Sequence, residues 1–144
     1  MNEEFFDTTF KVNVKSVVFF CKDALELLKK GKDANILVTS SLSALHPSRF
    51  LGVYAMGKAA IVNMVQWLSL ELMDYNIRVN AIGPGVTKTP MIQRDWDLGL
   101  GELIPPKALA DPSEIASVAA MICSKDGSFI NGETYILSGG FPKL

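Results

Sequence analysis

Tyr54 and Lys58 stand four residues apart in the run Tyr54-Ala55-Met56-Gly57-Lys58, and Ser41 lies thirteen positions upstream of the tyrosine. On a helix, residues i and i+4 share one face. An ammonium beside a phenol favours the phenolate by charge attraction, drawing a group with a reference pKa of about 10 toward neutral pH. A tyrosine tuned in this way gives or takes a proton at an alcohol or carbonyl oxygen. A serine hydroxyl nearby can hold and polarise the same oxygen. Tyr-x-x-x-Lys alone is a weak pattern, and the start of an ordinary amphipathic helix would carry it equally well. Ser40 and Ser43 are alternatives to Ser41, and all three serve otherwise as capping and turn residues.

The elements that must hold these residues alternate helix and strand. Phe10, Val14, Val17, Cys21, Leu25 and Leu28 recur at helical spacing and predict a first helix over 9–30. Lys29, Lys30 and Lys32 complement its dipole, and Gly31 can cap it. Asn35-Ile36-Leu37-Val38-Thr39 reads as a buried parallel strand. A loop rich in Ser, Pro and Gly leads to a second helix over 53–73, with Ile61, Val65, Leu68 and Leu72 as its core stripe. Ala55, Gly57, Ala59 and Ala60 keep its first turns slim, open to a ligand or another helix. A second strand is predicted over 77–82, broken by Gly83-Pro84-Gly85. A long irregular connection, 86–110, contains Pro90, Pro105 and Pro106, and such a loop is functional or disordered. Asp111-Pro112-Ser113-Glu114 has the capping-box pattern and starts a third helix with Ile115, Val118, Ala119 and Ile122 on one face. Asn131-Gly132 is a turn before a last strand over 133–137. This alternation implies an α/β fold with a parallel sheet and right-handed crossovers.

Composition narrows the function. A chain of 144 residues suits one domain, and 49% hydrophobic residues suffice for a core. A net charge of −1 gives no electrostatic case for nucleic acid or an anionic membrane surface. Met1-Asn2-Glu3-Glu4 leads into no signal-peptide pattern, and no apolar run approaches the ~20 residues of a membrane span. Cys21 and Cys123 each fall in an apolar helical pattern and are expected to be buried, reduced thiols. His46 is the only histidine, which excludes a histidine-rich metal site, and no metal is expected. No Gly-x-Ser-x-Gly elbow supports a hydrolase built on His46.

Taken together, Val12-Asn13-Val14, Ile36 to Ser41, Tyr54 to Ala60, Ile77-Arg78-Val79-Asn80, Pro84-Gly85, Asn131-Gly132-Glu133-Thr134 and Gly139-Gly140 form a specific set. In order and spacing the chain resembles the C-terminal half of a short-chain dehydrogenase/reductase, over nearly its whole length. The resemblance implies an NAD(P)-dependent oxidoreductase acting on a carbonyl or alcohol. It implies that 1–144 is the C-terminal part of one Rossmann-like, doubly wound domain, with the last strands and helices and without the N-terminal βαβ units. It assigns Tyr54 as acid/base, and Lys58 to the tyrosine and the nicotinamide ribose. Ser41 is assigned to the substrate oxygen, and Asn13 to a water linking Lys58 to solvent. Tyr54, Lys58, Pro84, Gly85, Thr87 and Thr89 are implied to bind the cofactor, the last four beside the nicotinamide carboxamide. The implied lid is 86–110, where Met91, Ile92, Trp96, Leu98, Leu100 and Leu103 suggest an apolar substrate or simply cover the core.

No Gly-x-x-x-Gly-x-Gly turn follows a strand, and the Asn-Asn-Ala-Gly segment of such enzymes is absent. The expectation is a fragment, short isoform, truncated gene model or degenerate relative, weak or inactive alone. NADP stands ahead of NAD, although the discriminating residue is not among these segments. The resemblance implies oligomers through the two long helices. The alternative reading is a non-catalytic module that pairs with a full-length relative. Ser138-Gly139-Gly140 and the ending Phe141-Pro142-Lys143-Leu144 look like the branch of peroxisomal carbonyl and retinol reductases. Pro-Lys-Leu matches the Ser-Lys-Leu import signal at two of three positions, so cytoplasm is the expected compartment and the peroxisome its alternative.

Overall fold

Asn2 opens the first helix by accepting the Phe5 N–H through its side-chain oxygen at 2.9 Å. In the computed structural model, which describes residues 2–49, 51–92 and 108–140, that helix starts earlier than the expected residue 9. It comprises α1 (Glu3–Phe10), one π turn (Lys11–Lys15) and α2 (Ser16–Leu28). Glu3 and Glu4 sit in the first turn, where negative charge offsets the dipole. No residue of α1 is buried, and Phe6 and Phe10 stack on one of its faces with ring centroids 4.6 Å apart. After α2 the left-handed position is Asp33, with φ 54°, rather than Gly31.

The sheet has three parallel strands in the order β1 (Asn35–Thr39), β2 (Arg78–Pro84) and β3 (Thr134–Leu137). β2 runs on through Gly83 and Pro84, which were expected to break it. Beyond the Thr39↔Ile82 pair its neighbour is β3 alone, so the missing N–H of Pro84 interrupts no ladder on the β1 side. Gly85 then donates to Leu137 O at 2.8 Å. Among the described residues, the other edge of β1 pairs with no strand.

One sheet face carries Ile36, Val38, Val79 and Ala81. These pack on Ile61, Met64, Val65 and Leu72 from α3 (Gly52–Glu71) and its end, with Val17, Leu25 and Leu28 of α2 alongside. Ile61 and Val65 are fully buried, each contributing about 1.5–3 kcal/mol. The alternate residues Asn35, Arg78 and Asn80 point to the other face, where α4 (Pro112–Cys123) lies. Arg78 donates to Ile122 O at 3.0 Å and Ile130 O at 3.1 Å, and Asn35 to Cys123 O at 3.5 Å. The chain thus crosses the sheet twice in one direction with its helices on opposite faces. The two crossovers must have opposite hands, so the expectation of uniform right-handedness fails for one of them.

Two asparagines staple the strands together. Asn80, 1% exposed, donates to Ile130 O at 2.8 Å and accepts from Glu133 N at 3.0 Å. Asn131 accepts from Val79 N at 2.8 Å and donates to Ser69 O at 3.3 Å. The capping box of α4 forms as predicted, with Asp111 N donating to Glu114 at 2.7 Å. Cys21 is buried, which pushes its thiol pKa up, but Cys123 is exposed, against expectation. No helix among the described residues is long and apolar enough to cross a membrane. The connection 86–110 is pinched at its base, where Thr87 bridges Ala110 and Lys88 N donates to Ala110 O at 2.9 Å. Trp96, Leu98, Leu100 and Leu103 of the implied lid, and the Pro142-Lys143-Leu144 tail, lie outside the described residues.

Candidate active site

The end of β1 and the start of α3 are clamped by two hydrogen bonds. Lys58 donates from Nζ to Thr39 O at 3.0 Å, and Ser40 donates from Oγ to Lys58 O at 2.9 Å. The clamp places Lys58 Nζ 5.6 Å from the centre of the Tyr54 ring, within cation–π range. Lys58 is partly buried, and desolvation holds its ammonium below the usual lysine pKa. Tyr54 sits in the first turn of α3, half-buried.

Ser41 follows the clamp directly and is 8% exposed. Its Oγ accepts the Ser43 N–H at 3.1 Å, capping the short turn Leu42–Ala44, which packs against α3. Among the described residues no acceptor takes the hydroxyl proton of Ser41. Ser40 is set apart from that role because its own hydroxyl is spent on Lys58 O. Ser43 contributes its backbone N–H to Ser41.

Asn13 reaches the same place from the first helix. It occupies the middle of the π turn, a feature frequent at functional sites, and its Nδ2 donates to Thr9 O at 3.1 Å. A Cβ on Gly57 would stand 3.6 Å from the Asn13 Cβ. The slim turn of α3 therefore admits the neighbouring helix, one residue before Lys58. The turn that carries Asn13 and the turn that Ser41 caps both pack against α3, the helix of Tyr54 and Lys58.

The residues expected near a nicotinamide divide. Pro84 ends β2 on the β3 side, and a Cβ on the next residue, Gly85, would meet Ser138 Cα at 3.0 Å, so a side chain there needs the β3 end to give by a few tenths of an ångström. Thr87 is partly buried, with Oγ1 donating to Gly85 O at 3.3 Å. Thr89 is exposed and accepts from Ile92 N at 3.1 Å through its carbonyl. Sequence reasoning missed Gly83, where a Cβ would strike Ile136 Cδ1 and lie 3.3 Å from the Ser41 backbone. Its place before Pro84-Gly85 was the available signal.

An open cleft of about 690 Å³ adjoins Tyr54, lined also by Asn2, Phe5, Arg49, Leu51, Gly52 and Val53. That volume lies in the range of small-molecule sites, about 300–1,000 Å³. Apolar walls beside a phenol suit an oxygen-bearing organic molecule.

Comparison with known proteins gives consistent results. A family model described as enoyl-(acyl carrier protein) reductase matches residues 1–142. Dehydrogenase/reductase SDR family member 4 of Homo sapiens is 31% identical over 147 residues, covering 99% of this chain and 53% of that protein. The chain spans about half the length of the curated relatives it matches. The crystal structure of a short-chain dehydrogenase/reductase, glucose/ribitol dehydrogenase, from Brucella melitensis superposes with TM-score 0.91 at 35% identity, covering 100% of this chain and 59% of that one. The 3-ketoacyl-(acyl-carrier-protein) reductase of the same organism, complexed with NADH, gives TM-score 0.86 at 30% identity, covering 97% of this chain and 59% of that one.

Proposed function

The chain belongs to the short-chain dehydrogenase/reductase family of oxidoreductases, and from that premise we propose that Tyr54, Lys58, Ser41 and Asn13 handle the proton of a carbonyl–alcohol hydride transfer. The observation that carries the proposal is the Lys58–Thr39 clamp beside the Tyr54 ring. Tyr54 gives its phenolic proton to the substrate oxygen in reduction and takes it back in oxidation. Ser41 donates its free hydroxyl proton to the same oxygen and orients it. Asn13, in the widened π turn, holds water on the Lys58 side and links the ammonium to solvent.

The donor set fits the nicotinamide side of a dinucleotide. Lys58 spends one N–H on Thr39 and keeps two for ribose hydroxyls. Pro84 closes β2, and with Gly85, Thr87 and Thr89 in the segment that follows it would serve the carboxamide side. Bound nicotinamide, as NADP or NAD, would supply or accept the hydride. The substrate is an apolar carbonyl or alcohol, supported by Phe5, Leu51 and Val53 in the cleft beside Tyr54. The sequence contains no glycine-rich turn after a strand, so the 144-residue chain by itself binds weakly and turns over slowly.

NMR titration of the labelled chain with NADPH and with NADH tests the assignment. The expected result is perturbation centred on Lys58, Thr39 and Thr87, at least about tenfold weaker in Lys58→Met. Binding indifferent to Lys58, or centred elsewhere, would overturn it.

A second reading rests on exposed apolar side chains of the long helices, Phe19 and Phe20 on α2 and Trp67 and Leu70 on α3. They suit pairing with a second copy or a longer relative. Light scattering of wild type against Phe20→Glu with Leu70→Glu tests it: loss of a dimer supports pairing, and a monomeric wild type refutes self-pairing.

A further inference from the structure

We propose that Arg49 determines substrate specificity, so that the cleft beside Tyr54 takes an apolar carbonyl compound bearing an anionic group on its far end. This inference rests on the assignment of Tyr54 as the group that meets the carbonyl oxygen. Tyr54 and Arg49 line the same cleft, with Phe5, Leu51 and Val53 as its apolar lining. Among the described residues, Arg49 is the one charged residue that lines it. The one ion pair among the described residues joins Lys29 to Glu26, so no carboxylate among them claims the guanidinium.

The nearby acidic residues do not line the cleft. Glu3, Glu4 and Asp7 line a separate hollow with Thr8 and Lys11, and only Asn2 is common to both. A planar guanidinium offers a paired set of donors that matches a carboxylate or phosphate, which a neutral chain end cannot use. Arg49 lies in the loop before α3, where Leu51 N donates to Ser48 O at 3.2 Å. Arg49 is exposed, so it can change without disturbing the core.

The test compares a straight-chain oxo-octanoate, its ketone next to the terminal methyl, with its methyl ester. The two differ in charge and keep the same ketone. Amide shifts of the labelled chain are followed in titrations of wild type and Arg49→Gln. The expected result is saturable perturbation of Arg49, Leu51, Gly52, Val53 and Tyr54 by the acid, with the ester at least about tenfold weaker. Arg49→Gln is expected to lower acid affinity to the level of the ester and leave ester binding unchanged. Equal binding of acid and ester, unchanged acid affinity in the variant, or no binding of either overturns the proposal. A glycol-phosphate monoester in place of the acid separates phosphate from carboxylate preference. Charge-selective binding without any hydride transfer would sink the Tyr54 assignment and leave the cleft's selectivity standing. Equal turnover of acid and ester would do the reverse.

Discussion

Lys58 is tied to Thr39 by a 3.0 Å hydrogen bond from its ammonium to the carbonyl at the end of β1. The bond joins the tyrosine-bearing helix to the sheet, and it holds a charged group in a partly buried place. Burial lowers the Lys58 pKa in the folded chain below its ordinary 10.5. The unfolded chain therefore binds this proton more readily. Below the folded pKa the penalty is present in full. As pH rises from there toward 10.5 the unfolded state holds the extra proton, and stability rises. Urea unfolding across alkaline pH should show this increment in wild type relative to Lys58→Met. Parallel pH profiles for the two proteins would contradict it.

Gly57 faces Asn13 and Val14 at 3.6 and 3.7 Å from an added Cβ, which is ordinary contact. Gly57→Ala should therefore fit, and should stabilise α3 by about 0.5–1 kcal/mol through lower backbone entropy in the unfolded chain. Denaturant unfolding checks this. A loss of stability would mean the two helices leave no room for a methyl group.

Gly83 has less room. An added methyl would make the tip of the Ile136 side chain turn away and would crowd the Ser41 backbone at 3.3 Å. Gly83→Ala should cost about 1–3 kcal/mol and displace Ser41. Thermal unfolding together with the Ser41 and Ser43 amide shifts reads both effects. An unchanged midpoint would refute the close approach.

Asn80 is buried and satisfies Ile130 O and Glu133 N from one side chain. Asn80→Ala orphans both partners and should cost about 2–4 kcal/mol. Faster hydrogen exchange at Glu133 should accompany the loss. Retained protection there would mean the staple is dispensable.

What was legible in the sequence was local. The α4 cap at Asp111 to Glu114 lies within four consecutive residues, and it formed as read. The Tyr54–Lys58 spacing placed both on one helix start for the same reason. The Asn80 and Asn131 staples were not legible, because their partners lie about fifty residues away in sequence. Cys123 looked buried beside Ile122, but one residue along a helix turns by about 100°, from the core to solvent. The roles of Gly83 and Gly85 depend on where β3 and the Ser41 backbone arrive, which only the assembled sheet reveals.

The most direct test of Tyr54 as the acid/base is deuteride transfer from labelled NADPH and NADH to apolar ketones, followed by mass spectrometry. That readout detects the slow turnover expected of the chain by itself. Wild type should yield deuterated alcohol, and Tyr54→Phe should reduce the yield by at least about a hundredfold. Transfer that survives unchanged in Tyr54→Phe, or no transfer by wild type, would contradict the account.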